Sequence, residues 1–355
     1  MRRAKRIITL VIVIVFAACL MLAGCGNNAP ANETSTPEST PATTPEPEGV
    51  VAADPITWDF LCAWVQNNNN FIRLEHFKEI VERNTEGRLI INILGGPEII
   101  PESEQAEATI NGVVDGIMTS CGYTAGYIPA GEVLSFSNMS TQEMQANGGL
   151  DFLREAYAAQ GLYLFIGDNE VDSQFNIYTN NEITTLAGLK GLKIRAAAGI
   201  WSDFGTNVGM VPVPIAFTEL YSALEQGLVE GYMAPAFAGY KEGFFEFTQH
   251  KIMPAIGRGG SNMVFNLSSW ESLPADLQEI LKDSVEEIKA AYLDVNLGAA
   301  EANNAALQEA GGSLVTFSPE DSKALVDIFN ETAWTIFAGN NPGADIDKLK
   351  PMFTK

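Results

Sequence analysis

The chain has 355 residues, of which 46% are hydrophobic, and a formal net charge of −23 at pH 7. Its length is enough for two domains, and its apolar content can fill substantial cores. So acidic a chain would be repelled by phosphate backbones and anionic membrane surfaces, which argues against nucleic-acid binding or electrostatic membrane binding.

The N-terminus reads as a targeting segment, residues 1–24. Four basic residues precede an apolar stretch, Ile7–Met21, which is short for a membrane span. The stretch runs into Leu22-Ala23-Gly24-Cys25, which resembles the lipobox of bacterial lipoproteins. The resemblance implies cleavage before Cys25 and lipid attachment to it. The alternative is an uncleaved anchor helix, and both interpretations place the rest of the chain outside the cytoplasmic membrane.

Residues 25–53 are rich in Pro, Ser, Thr, Asn and Glu and contain no Lys or Arg. Such a composition cannot form a core, and it predicts a disordered tether.

Apolar periodicity then predicts a β-α-β-α-β unit. The strands are Ile56–Trp64, Leu89–Leu94 and Asp115–Thr119, with one helix ending near Gly87 and another from a Ser103 cap to Asn111. Strands that alternate with helices favour a parallel sheet, and such sheets bind ligands at the carboxyl ends of their strands.

Three aromatic residues follow those carboxyl ends. Trp64 ends the first strand, and Tyr123 and Tyr127 follow the third. An aromatic ring offers an apolar face and, in tyrosine, a polar tip, so each is a candidate for lining a pocket. Packing within the loops is the equal alternative.

Cys62 and Cys121 lie at the same strand ends. If the two strands are neighbours, a disulfide is one option, and two buried thiols are the other.

No catalytic motif is recognisable. The chain has two histidines, His76 and His250, and lacks a metal-type Cys/His spacing, a G-x-S-x-G elbow, a P-loop and a G-x-G-x-x-G turn. We therefore expect no enzyme activity, no metal and no cofactor.

A second unit begins with Phe175–Thr179, which we interpret as a strand crossing into a second lobe. Strands at Lys193–Arg195 and Leu228–Met233 flank helices at Ile200–Val208 and Thr218–Gln226. Arg195 thus ends a strand and is followed by Ala196-Ala197-Ala198-Gly199, which would let a ligand approach closely. A guanidinium can grip both oxygens of a carboxylate, so Arg195 is a candidate carboxylate site; an ordinary surface arginine is the alternative.

The remaining chain returns to the first lobe through Ile252–Asn266. A long helix from Pro274 to Ala310, with an interruption at Gly298, is expected to brace both lobes. Ser318 begins a capping-box pattern that opens a C-terminal helix.

Three motifs carry a family resemblance: KGLKIR at 190–195, PVPIAFTELYSAL at 212–224 and GLVEGYMAP at 227–235. They resemble the signature of the solute-binding proteins of TRAP (tripartite ATP-independent periplasmic) transporters, over roughly Ile56 to the C-terminus. The resemblance implies a two-lobed α/β periplasmic-binding-protein fold. Each lobe would be a mostly parallel sheet flanked by helices, and crossing strands and a long bracing helix would join them.

The implied domains are a signal peptide (1–24), a tether (25–53) and two lobes. The first lobe would comprise 54–174 with part of 260–300, and the second 175–259 with part of 300–355.

The resemblance also implies roles for single residues. Arg195 would clamp a ligand carboxylate and Phe217 would pack on the ligand. Ala234, Phe175 and the neighbouring Tyr232 stand where other members carry polar contacts, so these positions favour a monocarboxylate with an apolar or aromatic body.

The implied function is the capture of a small organic acid by hinge closure, outside the cytoplasmic membrane, and its delivery to a membrane permease. The alternatives are a lipoprotein enzyme acting on organic acids and a sensory module that presents ligand to a receptor.

Overall fold

The computed structural model describes residues 54–167 and 174–355. The predicted signal peptide, the tether and the lipidation site Cys25 lie outside the described residues. The strands of the described part are β1 (Ile56–Cys62), β2 (Leu89–Gly95), β3 (Gly116–Ser120), β4 (Leu162–Gly167), β5 (Gln174–Thr179), β6 (Lys193–Ala196), β7 (Val211–Pro214), β8 (Gly231–Pro235), β9 (His250–Arg258), β10 (Ser261–Asn266) and β11 (Ser313–Thr316).

Two sheets organise the molecule. The first has the order β2-β1-β3-β10-β4, and the second has the order β11-β9-β5-β8-β6-β7. In the first sheet only β10 runs against its neighbours β3 and β4. In the second only β5 runs against its neighbours β8 and β9. The prediction of two mostly parallel sheets is therefore confirmed.

The two reversed strands are the crossing strands. β5 enters the second sheet after β4 leaves the first, and β9 and β10 return the chain through Gly259 and Gly260. Both glycines are fastened to the first sheet: the Ser120 hydroxyl donates to the Gly259 carbonyl at 2.9 Å, and the Cys121 N–H donates to the Gly260 carbonyl at 2.9 Å. Gly260 has a φ of +56°, and a Cβ there would lie 2.3 Å from the Cys121 sulfur, so only glycine fits without movement.

Helices cover both sheets. They are α1 (Asn69–Asn84), α2 (Gln105–Ile110), α3 (Cys121–Thr124), α4 (Thr141–Asn147), α5 (Gly149–Ala158), α6 (Ile200–Val208), α7 (Leu220–Glu225), α8 (Leu267–Ser272), α9 (Ala275–Asp283), α10 (Val285–Glu309), α11 (Pro319–Asn340) and α12 (Ile346–Phe353). Short 3₁₀ turns include Phe217–Glu219, which replaces the first turn of the predicted helix at 218–226. Within the two described ranges, no helix is both long and apolar enough to cross a membrane.

The long bracing helix is present, but its predicted interruption at Gly298 is wrong. The break falls at Ser284, between α9 and α10, where the Ser284 hydroxyl donates to the Ile280 carbonyl and accepts from the Asn84 side chain of α1. A serine that bonds back to the preceding turn bends a helix. At one end α10 buries Ile288 in the core of the first sheet, and at the other it buries Leu307 beside β5 and β8.

Of the two predicted helix caps, Ser318 is confirmed without its capping box, and Ser103 is wrong. Ser318 caps α11 by accepting from the Asp321 N–H, but the Asp321 carboxylate accepts from the Leu186 N–H instead of closing the capping box. Ser103 caps nothing: α2 begins after Glu104, without a side-chain cap.

Cys62 and Cys121 are free thiols, and both are buried. Cys62 ends β1 and Cys121 directly follows β3, so both lie at carboxyl ends of strands, as predicted, and the two strands are parallel neighbours. Cys62 belongs to the core shared with α1, whereas Cys121 belongs to the core that contains Val133 and Leu134. The two thiols therefore pack in different cores, and no disulfide joins them.

Replacing Gly298 by alanine should stabilise the protein. Gly298 is exposed in the interior of α10, and a Cβ there meets no atom within 4 Å. Alanine in an exposed helix interior is favoured over glycine by about 0.5–1 kcal/mol. Urea unfolding of Gly298→Ala should show that gain. Gly231→Ala is the contrasting variant, since its Cβ would lie 2.2 Å from the Tyr178 carbonyl oxygen, and it should be strongly destabilised. A loss of stability in Gly298→Ala would contradict the continuous helix.

Candidate functional site

A cavity of about 360 Å³ lies between the two sheets. Its wall follows the ends of the strands. Four strands that run in the main direction of their sheet contribute the residues at their carboxyl ends: Ser120, Ala196, Pro214 and Pro235. The two reversed strands, β5 and β10, contribute residues near their starts: Phe175 and Ser261. The sheet topology therefore creates one site to which both sheets contribute, as expected for open α/β sheets.

Arg195 is the positively charged residue among those lining the cavity. Its side chain is 6% exposed. Its Nε–H donates to the Ile215 carbonyl at 2.9 Å, and its Nη1 donates to the Met233 carbonyl at 3.5 Å. These two carbonyls fix the plane of the guanidinium. No Asp or Glu of the described residues forms an ion pair with it, so its charge has no counter-charge within the fold.

A buried charge without a partner costs free energy. Burial lowers the pKa of Arg195, although an arginine remains protonated at neutral pH. An anion that entered the cavity would therefore gain more from Arg195 than from an exposed cation, because water screens the pair less.

Tyr123, in α3 directly after the first sheet, lies within electrostatic reach of Arg195 on the second sheet. Burial raises the pKa of the Tyr123 hydroxyl, and the positive charge of Arg195 opposes that rise. Trp64 packs beside Tyr123, with ring centres 6.0 Å apart. The first sheet thus presents two rings to the cavity.

The second sheet adds further aromatic surface. The Phe217 ring lies 5.6 Å from the Arg195 Cζ, a cation–π distance, and Phe175 stacks on Trp201 with ring centres 4.2 Å apart. Ala196, Ala234 and their small neighbours leave the space between these rings open. A flat apolar body could lie there with its carboxylate against Arg195.

Six of the eight predicted ligand-binding residues line this cavity: Arg195, Phe217, Trp64, Tyr123, Phe175 and Ala234. Their contact with a ligand stays a prediction.

Tyr127 and Tyr232 do not line the cavity, so their assignment is corrected. Tyr127 lies past the end of α3, and its hydroxyl donates to the Glu107 carboxylate at 2.9 Å. Tyr232 is on the correct strand, but it lies two residues before Ala234, and its fully buried ring stacks on Tyr178 at 4.7 Å. It belongs to the core.

Sequence reasoning missed Trp201 and Glu102, both of which line the cavity. Trp201 is in the first turn of α6, directly after the small-residue loop, and that position was a usable signal. Glu102 lies in the segment between β2 and α2, and nothing in its local sequence distinguishes it from the many other glutamates of the chain. In the described part of the chain, no three His, Cys, Asp or Glu side chains cluster in a way that could hold a metal.

Substitution of the two corrected tyrosines should separate packing from binding. Tyr232→Ala removes a fully buried ring and should lower the free energy of unfolding by about 3–5 kcal/mol. Tyr127→Phe removes an exposed hydroxyl contact and should change neither stability nor ligand affinity by more than about 0.5 kcal/mol. Denaturant unfolding and calorimetry give both values. A stable Tyr232→Ala protein with weakened ligand binding would restore Tyr232 to the site.

Comparison with known proteins agrees with this architecture. Residues 62–340 match the family described as bacterial extracellular solute-binding protein, family 7 (DctP). A monocarboxylate 2-oxoacid-binding periplasmic protein of Nostoc sp. is 26% identical over 300 residues, which cover 78% of this chain and 79% of that protein.

Two solved structures share the fold. A TRAP periplasmic solute-binding protein from Desulfovibrio salexigens, with bound orotic acid, superposes with a TM-score of 0.74 at 19% identity, over 84% of this chain and 97% of that one. A marine metagenome TRAP solute-binding protein, described as specific for pyroglutamate, superposes with a TM-score of 0.71 at 21% identity, over 84% of this chain and 99% of that one. The TRAP resemblance of the sequence is thereby confirmed, and the chain belongs to family 7 of the bacterial extracellular solute-binding proteins.

Proposed function

We propose that this protein captures a small organic acid outside the cytoplasmic membrane, holds the carboxylate at Arg195 and delivers the ligand to the permease of a TRAP transporter. One observation carries the proposal: the Arg195 guanidinium is 6% exposed and faces a cavity without an acidic partner. Such a group binds an anion strongly because its own water has already been removed.

The cavity favours one carboxylate per ligand. Among its lining residues Arg195 is the one Lys, Arg or His side chain, and much of the remaining wall is aromatic or small and apolar. A second carboxylate would therefore lose its water without gaining a cation. The ligands named for the three similar proteins, a 2-oxoacid, orotate and pyroglutamate, each offer one carboxylate on a compact body.

Ligand capture would couple to closure of the two sheets as lobes. Arg195 lies on β6 and Phe217 follows β7 of the second sheet, whereas Trp64 follows β1 and Tyr123 follows β3 of the first. A ligand that touches all four has more contacts when the lobes are close, so it favours the closed state by that difference in binding free energy. The permease would then recognise the closed state. Capture and release require no bond making, so we propose that the protein is not an enzyme.

Removal of the guanidinium tests the proposal. Native mass spectrometry of the purified protein should first detect a co-purified acid, and 2-oxoacids, orotate and pyroglutamate are the probes for calorimetry. Arg195→Met should lower the affinity for the bound acid about 100-fold, or about 3 kcal/mol, because a carboxylate in the cavity then has no cation. The melting temperature without ligand should change little, because the lost carbonyl bonds and the removed buried charge oppose each other.

Lys193→Met is the matched control. Lys193 lies two residues earlier on β6, carries the same charge, is exposed and does not line the cavity. Its substitution should leave affinity unchanged. If Arg195→Met bound the acid as tightly as Lys193→Met, the carboxylate assignment would be wrong.

We also propose that the protein is anchored to the membrane by lipid on Cys25, on the strength of the lipobox-like sequence before it. Lipid attachment at Cys25 should place the protein in the membrane fraction, with incorporation of labelled fatty acid. Cys25→Ala should abolish the incorporation of fatty acid, because the thiol that would carry the lipid is gone. A natural-sequence protein that stays in the membrane fraction, incorporates no labelled fatty acid and retains residues 1–24 by mass would instead support an uncleaved anchor helix.

A further inference from the structure

Glu102 is the one acidic residue among those that line the cavity. Its side chain is half-buried, and within the described residues it has neither a hydrogen bond nor an ion pair. The fold does not use this charge for its own stability. The cavity lining therefore contains one positive and one negative group, and neither forms an ion pair with another of the described residues.

The two charges come from segments that belong to different sheets. Glu102 follows β2 in the first sheet, whereas Arg195 lies on β6 in the second, one residue before its end. Both act on the hydroxyl of Tyr123, since the charge of Glu102 raises its pKa and the charge of Arg195 opposes that rise. Tyr123 thus lies within the electrostatic reach of both charges.

The surroundings of Glu102 suit a cation. Trp64 and Tyr123 line the same cavity as Glu102, with their ring centres 6.0 Å apart. Aromatic faces and a carboxylate together form the chemical environment that recognises ammonium groups in proteins. An anionic ligand without a cation would instead leave Glu102 as an unpaired negative charge while closure removes water around it.

We infer that the ligand is a zwitterion: a carboxylate for Arg195, a cationic nitrogen for Glu102, Trp64 and Tyr123, and an apolar body between them. This inference rests on the proposed function, because it requires the carboxylate to bind Arg195. It narrows the ligand from organic acids in general to carboxylates that carry an ammonium or amidinium group.

Matched pairs of probes, in which carbon replaces the cationic nitrogen, test the inference directly. Suitable pairs are glycine betaine with 3,3-dimethylbutanoate, isonipecotate with cyclohexanecarboxylate, and 4-aminobutanoate with pentanoate. The shape and the carboxylate are kept within each pair, so a difference in affinity reports the cation. Calorimetry on the full-length protein should show at least one zwitterion binding about tenfold or more tightly than its partner.

Two variants test whether the charge of Glu102 causes the preference for the zwitterion. Glu102→Gln should reduce the ratio within a pair to about one, because it keeps the size of the side chain and removes its charge. Glu104→Gln is the matched control, since Glu104 is two residues away, exposed and outside the cavity lining, and it should retain the full ratio.

The outcomes distinguish failure of the zwitterion assignment from failure of the proposed function. Equal affinity within every pair, tighter binding of the uncharged partners, or no binding of any zwitterion would overturn the zwitterion assignment, and Glu102 would then be a hydrated group at the rim. In the first two cases, the proposed function stands as long as Arg195→Met still weakens the acids that bind. If Arg195→Met leaves their affinity unchanged, the proposed function itself is wrong.

Discussion

The site depends on one constraint: a guanidinium held in the interior by two backbone carbonyls and by no acid. The carbonyls of Ile215 and Met233 set its orientation, and Phe217 lies within cation–π distance of it. Carbonyl dipoles position a charge but do not neutralise it, so the group retains most of its attraction for an anion. The small residues that follow Arg195 matter for the same reason, because they keep the space before it free for a ligand rather than for a protein side chain.

The topology explains how two sheets come to share this site. Most strands of each sheet run toward the cavity, and the two strands that connect the sheets, β5 and β10, run away from it. A chain that passes from one sheet to the other beside the cavity must enter the second sheet in the reverse direction. Carboxyl ends of strands therefore meet from both sides, and ligand contacts can come from segments as distant in sequence as Trp64 and Ala234.

Much of this arrangement was predictable from residues 189–235. Glycine and proline mark the ends of β6, α6 and β7, and the observed bounds of α6 agree with the predicted ones. Local signals are strong there because turns and caps restrict only a few backbone angles. Predictions were wrong where a distant contact decides: Ser284, bonded to Asn84, breaks the long helix, and Tyr232 lies too deep because Tyr178 stacks on it. Depth along a strand and the partners of a side chain depend on the assembled fold.

The packing of Gly260 against Cys121 has a further consequence. The thiol is held between that glycine and the Ser135 hydroxyl, 2.8 Å away, and burial raises its pKa to about 12. Such a sulfur is inert toward thiol reagents for as long as the crossing segment stays in place. The rate at which a thiol reagent modifies Cys121 therefore reports how often that segment separates from the first sheet. This rate can be measured in the natural sequence, without an attached probe.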